Sequence, residues 1–216
     1  MKKLLSLLIA LAATGLSFAA QAQDAKAGEK KAAMCIGCHG IPGYQASFPE
    51  IYKVPMIAGQ GSKYIVSALT AYRKGDRKHP TMRAIATSLT DQDMADLAAY
   101  YEQQAKDGGA VVAKAAPPAP PAVAELLKKG NCASCHGENF SKPIDPTYPK
   151  LAGQYSDYLY QALKAYQTGN NPKVGRNNAI MMGMAKPYTH AELKLVTGYL
   201  ATLPTELKTV PQSRFR

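Results

Sequence analysis

Cys35-Ile36-Gly37-Cys38-His39-Gly40 returns 97 residues later as Cys132-Ala133-Ser134-Cys135-His136-Gly137, and the two stretches hold all four cysteines of the 216-residue chain. Other landmarks repeat in the same order. Pro55-Met56-Ile57-Ala58-Gly59-Gln60 matches Pro149-Lys150-Leu151-Ala152-Gly153-Gln154 at an offset of 94. Residues 64–75 match 158–169 at the same offset, and Thr90 matches Thr189 at 99. One fold is therefore written twice. The changes of offset read as loop insertions and deletions, which surface connections tolerate.

Between the copies, residues 108–121 open on Gly108-Gly109 and close on Pro117-Pro118-Ala119-Pro120-Pro121. Such a stretch cannot continue a helix or a central strand and reads as a linker, stiff in its proline half. The expected domains are thus 23–107 and 122–216. Each reads as helical. Residues 25–34 and 123–129 form short helices that deliver the chain to the cysteines. Residues 62–74 and 156–168 carry apolar and aromatic side chains at helical spacing and stop at a glycine. Thr90-x-x-Asp93 and Thr189-x-x-Glu192 have the reciprocal capping arrangement that opens a helix, here running to about residues 105 and 203. No segment has a strand signal. The expected fold class is all-α, two tandem helical domains.

The chain begins with Met1-Lys2-Lys3, an apolar run over residues 4–13 and the small-residue ending Ala20-Gln21-Ala22. This is the pattern of a secretory signal peptide cut before Gln23. The run is shorter than the roughly 18 to 20 apolar residues that cross a bilayer, which argues against a retained anchor. Loss of residues 1–22 takes the formal net charge from +11 to +9. An exported basic protein calls for acidic protein surfaces or anionic lipid as partners. No clustered Arg/Lys motif of the nucleic-acid-binding kind is present.

Cys-x-x-Cys-His is the attachment signature of a c-type haem. Two thiols at this spacing reach the two vinyl groups on one edge of a porphyrin, and the adjacent imidazole can ligate the iron. The competing readings are a redox dithiol, half a zinc site and a disulfide. A zinc site would require both halves to converge and would leave the paired histidines unexplained. A redox dithiol would require a βαβ context. Two covalent haems, attached at Cys35, Cys38, Cys132 and Cys135 with His39 and His136 on the irons, account for all six residues. A porphyrin also gives each small domain a large apolar surface to wrap.

The second axial ligand follows from the repeat. Met82 falls on Met181, each eight residues before its capping threonine in a loop after the middle helix. A thioether raises the potential of an electron carrier's iron. Met182 and Met184 are neighbours of Met181 and remain alternatives. His79 and His190 have no histidine counterpart in the other copy and read as surface residues. Pro55 and Pro149 are either loop breakers or carbonyl acceptors for the free N–H of the ligating imidazole.

This set of landmarks resembles the cytochrome c4 family, two class I cytochrome c domains in one exported chain, over residues 25–204. The resemblance implies a periplasmic carrier with two His/Met haems and no catalytic residues. It would move electrons between respiratory-chain donors and a terminal oxidase or other acceptor. The first domain departs from the pattern in a longer segment between His39 and Pro55, the second in a longer loop over 170–179. A second reading is the di-haem electron-transfer subunit of a periplasmic dehydrogenase, such as a sulfide-oxidising flavocytochrome. A third is a di-haem peroxidase, which the methionine candidate for each iron opposes. Charge differs between the halves: residues 23–109 are net +2 and residues 110–216 net +7. The acidic docking surface of a redox partner is therefore expected to face the second domain, at Lys142, Lys150, Lys173, Arg176 and Lys186.

Overall fold

A computed structural model of the protein describes residues 22–105, 116–168 and 171–211. The expected signal peptide up to residue 21, residues 106–107 and the 108–115 part of the expected linker lie outside the described residues. In the first half the helices are α1 (Ala25–Lys31), α2 (Ala33–His39), α3 (Ser62–Lys74), α4 (Pro80–Thr87) and α5 (Asp91–Gln103). The second half repeats them in order as α6 (Pro121–Lys129), α7 (Cys132–His136), α8 (Ser156–Thr168), α9 (Ala179–Ala185) and α10 (His190–Thr202). The architecture is two tandem helical domains of the same element order, as the repeat requires.

Local chemistry explains the helix ends. Thr90 and Thr189 each accept from the third helical N–H, while Asp93 and Glu192 reach back to the threonine N–H. Asp24 accepts from the amides of Lys26 at 2.8 Å and Ala27 at 3.2 Å, satisfying donors that α1 leaves free. The expected helix over 25–34 is two helices. Ala32, fully buried, ends α1 with a tight bond from its N–H to the Glu29 carbonyl and starts α2. The methionine segments, expected as loops, are the short helices α4 and α9. His79 and Asn178 cap them by accepting the amides of Met82 and Met181.

Each domain packs its own core. In the first, Met94 and Leu97 of α5 lie beneath Ile65 of α3, with Tyr100 and Tyr101 completing the layer. In the second, Leu159 of α8 meets Val196 and Leu200 of α10, with Phe140 and Leu203. Burying each of these aliphatic side chains stabilises the fold by about 1.5–3 kcal/mol. Helix α1 crosses α5 closely at Gly28, where a Cβ would stand 2.1 Å from the Asp96 carbonyl oxygen.

Strands of two residues also occur, too short for any alternation to announce them. Pairing of β1 (Gln45–Ala46) with β2 (Tyr52–Lys53) makes the longer first-domain segment a hairpin. It leans on α8 of the second domain, where Lys53 pairs with Asp157 at 3.1 Å and Glu50 pairs with Lys164. Pairing of β3 (Arg77–Lys78) with β4 (Gly175–Arg176) is antiparallel and joins the two domains directly. Beyond α10, the chain returns to the first domain. The Lys208 amide donates to the Ala58 carbonyl at 2.9 Å, and Val210 packs on the first core.

Candidate functional site

Helices α2 and α7 carry the paired thiols and their histidines, and all four cysteines are free. Burial pushes the Cys35 and Cys132 thiols up. Nδ1 of His39 lies 2.8 Å from the Pro55 carbonyl oxygen, and Nδ1 of His136 lies 3.1 Å from that of Pro149. A carbonyl can only accept, so each Nδ1 bears the proton and each Nε2 keeps its lone pair. Burial lowers both imidazoles below their usual range, against the opposing pull of the carbonyl bond. Both rings are therefore neutral and held in one orientation, with the Nε2 lone pair available to a metal. The two prolines are acceptors as well as loop formers.

Met82 and Met181 occupy the same place, third residue of α4 and of α9. Their amides donate to His79 Nδ1 at 3.3 Å and to Asn178 Oδ1 at 3.0 Å. Both thioethers are half-buried, whereas Met184 is 45% exposed. Among the described residues no three His, Cys, Asp or Glu side chains gather into a metal-binding group, so the cysteines of the two halves do not converge on one zinc. His79 departs from its surface reading: it is half-buried, caps α4 and takes the Phe48 ring edge-on at 5.9 Å. His190 opens α10 against Tyr160.

At the seam between domains, Arg77 donates to the Tyr64 hydroxyl and Arg176 to the Tyr158 hydroxyl, each at 3.2 Å. Tyr72 and Tyr166 flank the same guanidinium groups. Among the described residues these cations bond to tyrosine hydroxyls and no carboxylate pairs with either. The free thiols, neutral imidazoles, matched thioethers and seam cations together fit a covalently attached haem in each domain. Arg176 and Lys150 thereby leave the expected docking set, because Lys150 donates to the Gly59 carbonyl at 2.8 Å and pairs with Glu206 at 2.5 Å. Lys142, Lys173 and Lys186 are exposed.

A duplicated fold of this kind, with two thiols and a prepared histidine in each half, defines a di-haem c-type cytochrome. The cytochrome c family profile matches residues 25–105 and 122–204. The chain is 32% identical to cytochrome c4 of Azotobacter vinelandii over 94% of its own length and 99% of that protein. It is 30% identical to a thiosulfate dehydrogenase electron acceptor of Stutzerimonas stutzeri, over 91% of this chain and 94% of that one. The crystal structure of reduced cytochrome c4 from Pseudomonas stutzeri superposes with a TM-score of 0.63, at 28% identity, covering 84% of this chain and all of that one. The chain belongs to the cytochrome c family, in its tandem c4 branch. It is an electron-transfer protein with two covalent haem c groups rather than an enzyme.

Two features escaped the sequence reading. Gln60 and Gln154 were visible as part of a repeated motif, but nothing local indicated that each side chain reaches into the other domain. The seam role of Arg77 and Arg176 was equally hidden, although their matched positions before Met82 and Met181 were a usable signal.

Proposed function

We propose that the protein is a periplasmic carrier that passes electrons from respiratory donors to a terminal oxidase or other acceptor. Thioether links form at Cys35 and Cys38 and at Cys132 and Cys135. His39 with Met82 would hold one iron, and His136 with Met181 the other. The haem supplies an iron that exchanges one electron between ferric and ferrous states. His39 and His136 offer Nε2, held in orientation by Pro55 and Pro149. Met82 and Met181 offer soft thioethers, which favour ferrous iron and a raised potential. Arg77 and Arg176 balance acidic charge at the seam. The observation that carries this reading is the matched preparation of the two halves: Met82 and Met181 each stand third in a capped helix, and His39 and His136 each face a proline carbonyl through Nδ1.

A spectroscopic redox titration of the holo-protein tests it. Two one-electron waves are expected, each with the methionine-to-iron absorption band in the oxidised state. A bis-histidine or open-site spectrum at either haem defeats the assignment.

Docking is proposed at the second domain. Exposed Ile144 stands two residues from Lys142, and exposed Met184 two residues from Lys186, apolar side chains with basic neighbours suited to an acidic partner. A second reading, service to a dehydrogenase, is favoured by the likeness to thiosulfate dehydrogenase electron acceptors. Isolation from its host as a free chain or bound to a dehydrogenase separates the two readings.

A further inference from the structure

We infer that Gln60 and Gln154 are positioning residues that act crosswise, each tuning the haem of the other domain through the peptide unit that holds its histidine. The inference rests on His39 and His136 being iron ligands, as proposed above.

The peptide between Pro55 and Met56 is held at both ends. Its carbonyl accepts His39 Nδ1–H at 2.8 Å, and its N–H, that of Met56, donates to Gln154 Oε1 of the second domain at 3.1 Å. The second domain mirrors this. The peptide between Pro149 and Lys150 accepts His136 Nδ1–H at 3.1 Å, and its N–H donates to Gln60 Oε1 of the first domain at 2.9 Å. Each glutamine also clamps the next carbonyl, Gln154 Nε2 to Met56 O at 2.8 Å and Gln60 Nε2 to Lys150 O at 3.0 Å. The remaining acceptor capacity of each Oε1 goes to its own chain neighbour, Gly61 N or Tyr155 N, both at 3.0 Å. With 4% and 3% exposure, Gln60 and Gln154 are held without freedom to turn.

A peptide group is polarised as a unit. An acceptor on its N–H puts more negative charge on its oxygen, strengthening a second bond by roughly 10–30% where such chains have been estimated. A stronger acceptor at Pro55 draws the His39 Nδ1 proton further from the ring. The imidazole becomes a better donor at Nε2, which favours ferric iron and lowers the potential. Gln154 thus lowers the potential of the first haem and Gln60 that of the second. Neither amide touches the histidine peptide of its own domain. A glutamine that merely glued the domains together would have no such crossed specificity.

The test uses the full-length holo-protein with Gln60→Met and Gln154→Met, near-isosteric changes that remove the acceptor. The two potentials are followed separately through the NMR signals of each haem, together with ¹⁵N and ¹H signals of both histidine rings. Gln154→Met is expected to raise the first haem's potential and move the His39 Nδ1–H signal upfield, with the second haem unmoved. Gln60→Met should do the reverse. Equal shifts at both haems, a shift confined to the haem of the altered domain, or no shift overturns the inference. Gln154→Glu keeps an acceptor for the Met56 amide and guards against a seam that opens in the methionine variant. It should return the first potential to the parent value or below, and a rise equal to that of Gln154→Met would sink the idea. Failure of the ligand reading looks different: His39 or His136 ring signals would lack a paramagnetic shift in the oxidised parent protein itself.

Discussion

A methionine is a convincing ligand only when its position is dictated, and here it is dictated twice. Met82 and Met181 each hang from the third position of a capped helix. Replacement of Met181 by alanine should abolish one methionine-to-iron band, lower that haem's potential and open its iron to added imidazole. Survival of both bands would move the ligand to Met182 or Met184. Gly59 is equally constrained, by φ of +86° and by the Glu206 carbonyl oxygen only 2.4 Å from where a Cβ would stand. Gly59→Ala should cost about 1–3 kcal/mol in denaturant unfolding. An unchanged midpoint would mean that the chain's end shifts aside without penalty. At this scale the two haem-attachment motifs were legible because their chemistry is rare and their spacing repeats. Gln60 and Gln154 were not, because their partners lie 90 and 98 residues away and no local pattern encodes such a pairing.

Among the helices, α1 and α5 are joined by a charged network that differs from the apolar packing elsewhere. Asp96, 2% exposed, accepts from Lys31 Nζ at 2.8 Å, from the Asp24 amide at 3.0 Å and from Gln92 at 2.6 Å. Burial alone would push this carboxyl up. The three donors outweigh burial and hold it below the usual carboxylate range. A depressed carboxyl contributes stability that is complete above its unfolded value, near about 4, and fades as pH falls through the folded value. Asp96→Asn should therefore cost about 1–3 kcal/mol at neutral pH. The gap between variant and parent should close as the pH drops below about 4. A gap independent of pH would assign the loss to packing instead. Helix identities were readable from period and capping. The break at Ala32 and the helicity of α4 and α9 were not, because segments of seven or eight residues carry too few periods to separate helix from loop.

For the molecule as a whole, charge and haem set the expectations. Lys142→Glu, Lys173→Glu and Lys186→Glu together should slow electron exchange with the native acceptor by about tenfold or more at low salt and flatten its salt dependence. Lys30→Glu and Lys63→Glu in the first domain should do much less, and equal losses would reduce the asymmetry to general charge. The architecture was legible as a duplication. The way the copies meet was not, since β3 and β4 are two residues long and the first-domain hairpin is what leans on α8. A protein with Cys132→Ala and Cys135→Ala should lose helix signal mainly from one half while its first haem remains reducible. Full helix content would show that a porphyrin is not needed to complete that core.

Residues 205–210 follow the second domain's last helix yet serve the first domain. The Lys208 amide and the Val210 side chain finish a core whose other members were synthesised at the opposite end of the chain. A first domain that folds before the second therefore waits with its Ala58–Gly59 loop uncovered until residues 205–210 are in place. Closure of residues 205–210 over that loop marks a molecule whose two halves have both folded, and a protease that finds the loop bare has found an unfinished copy.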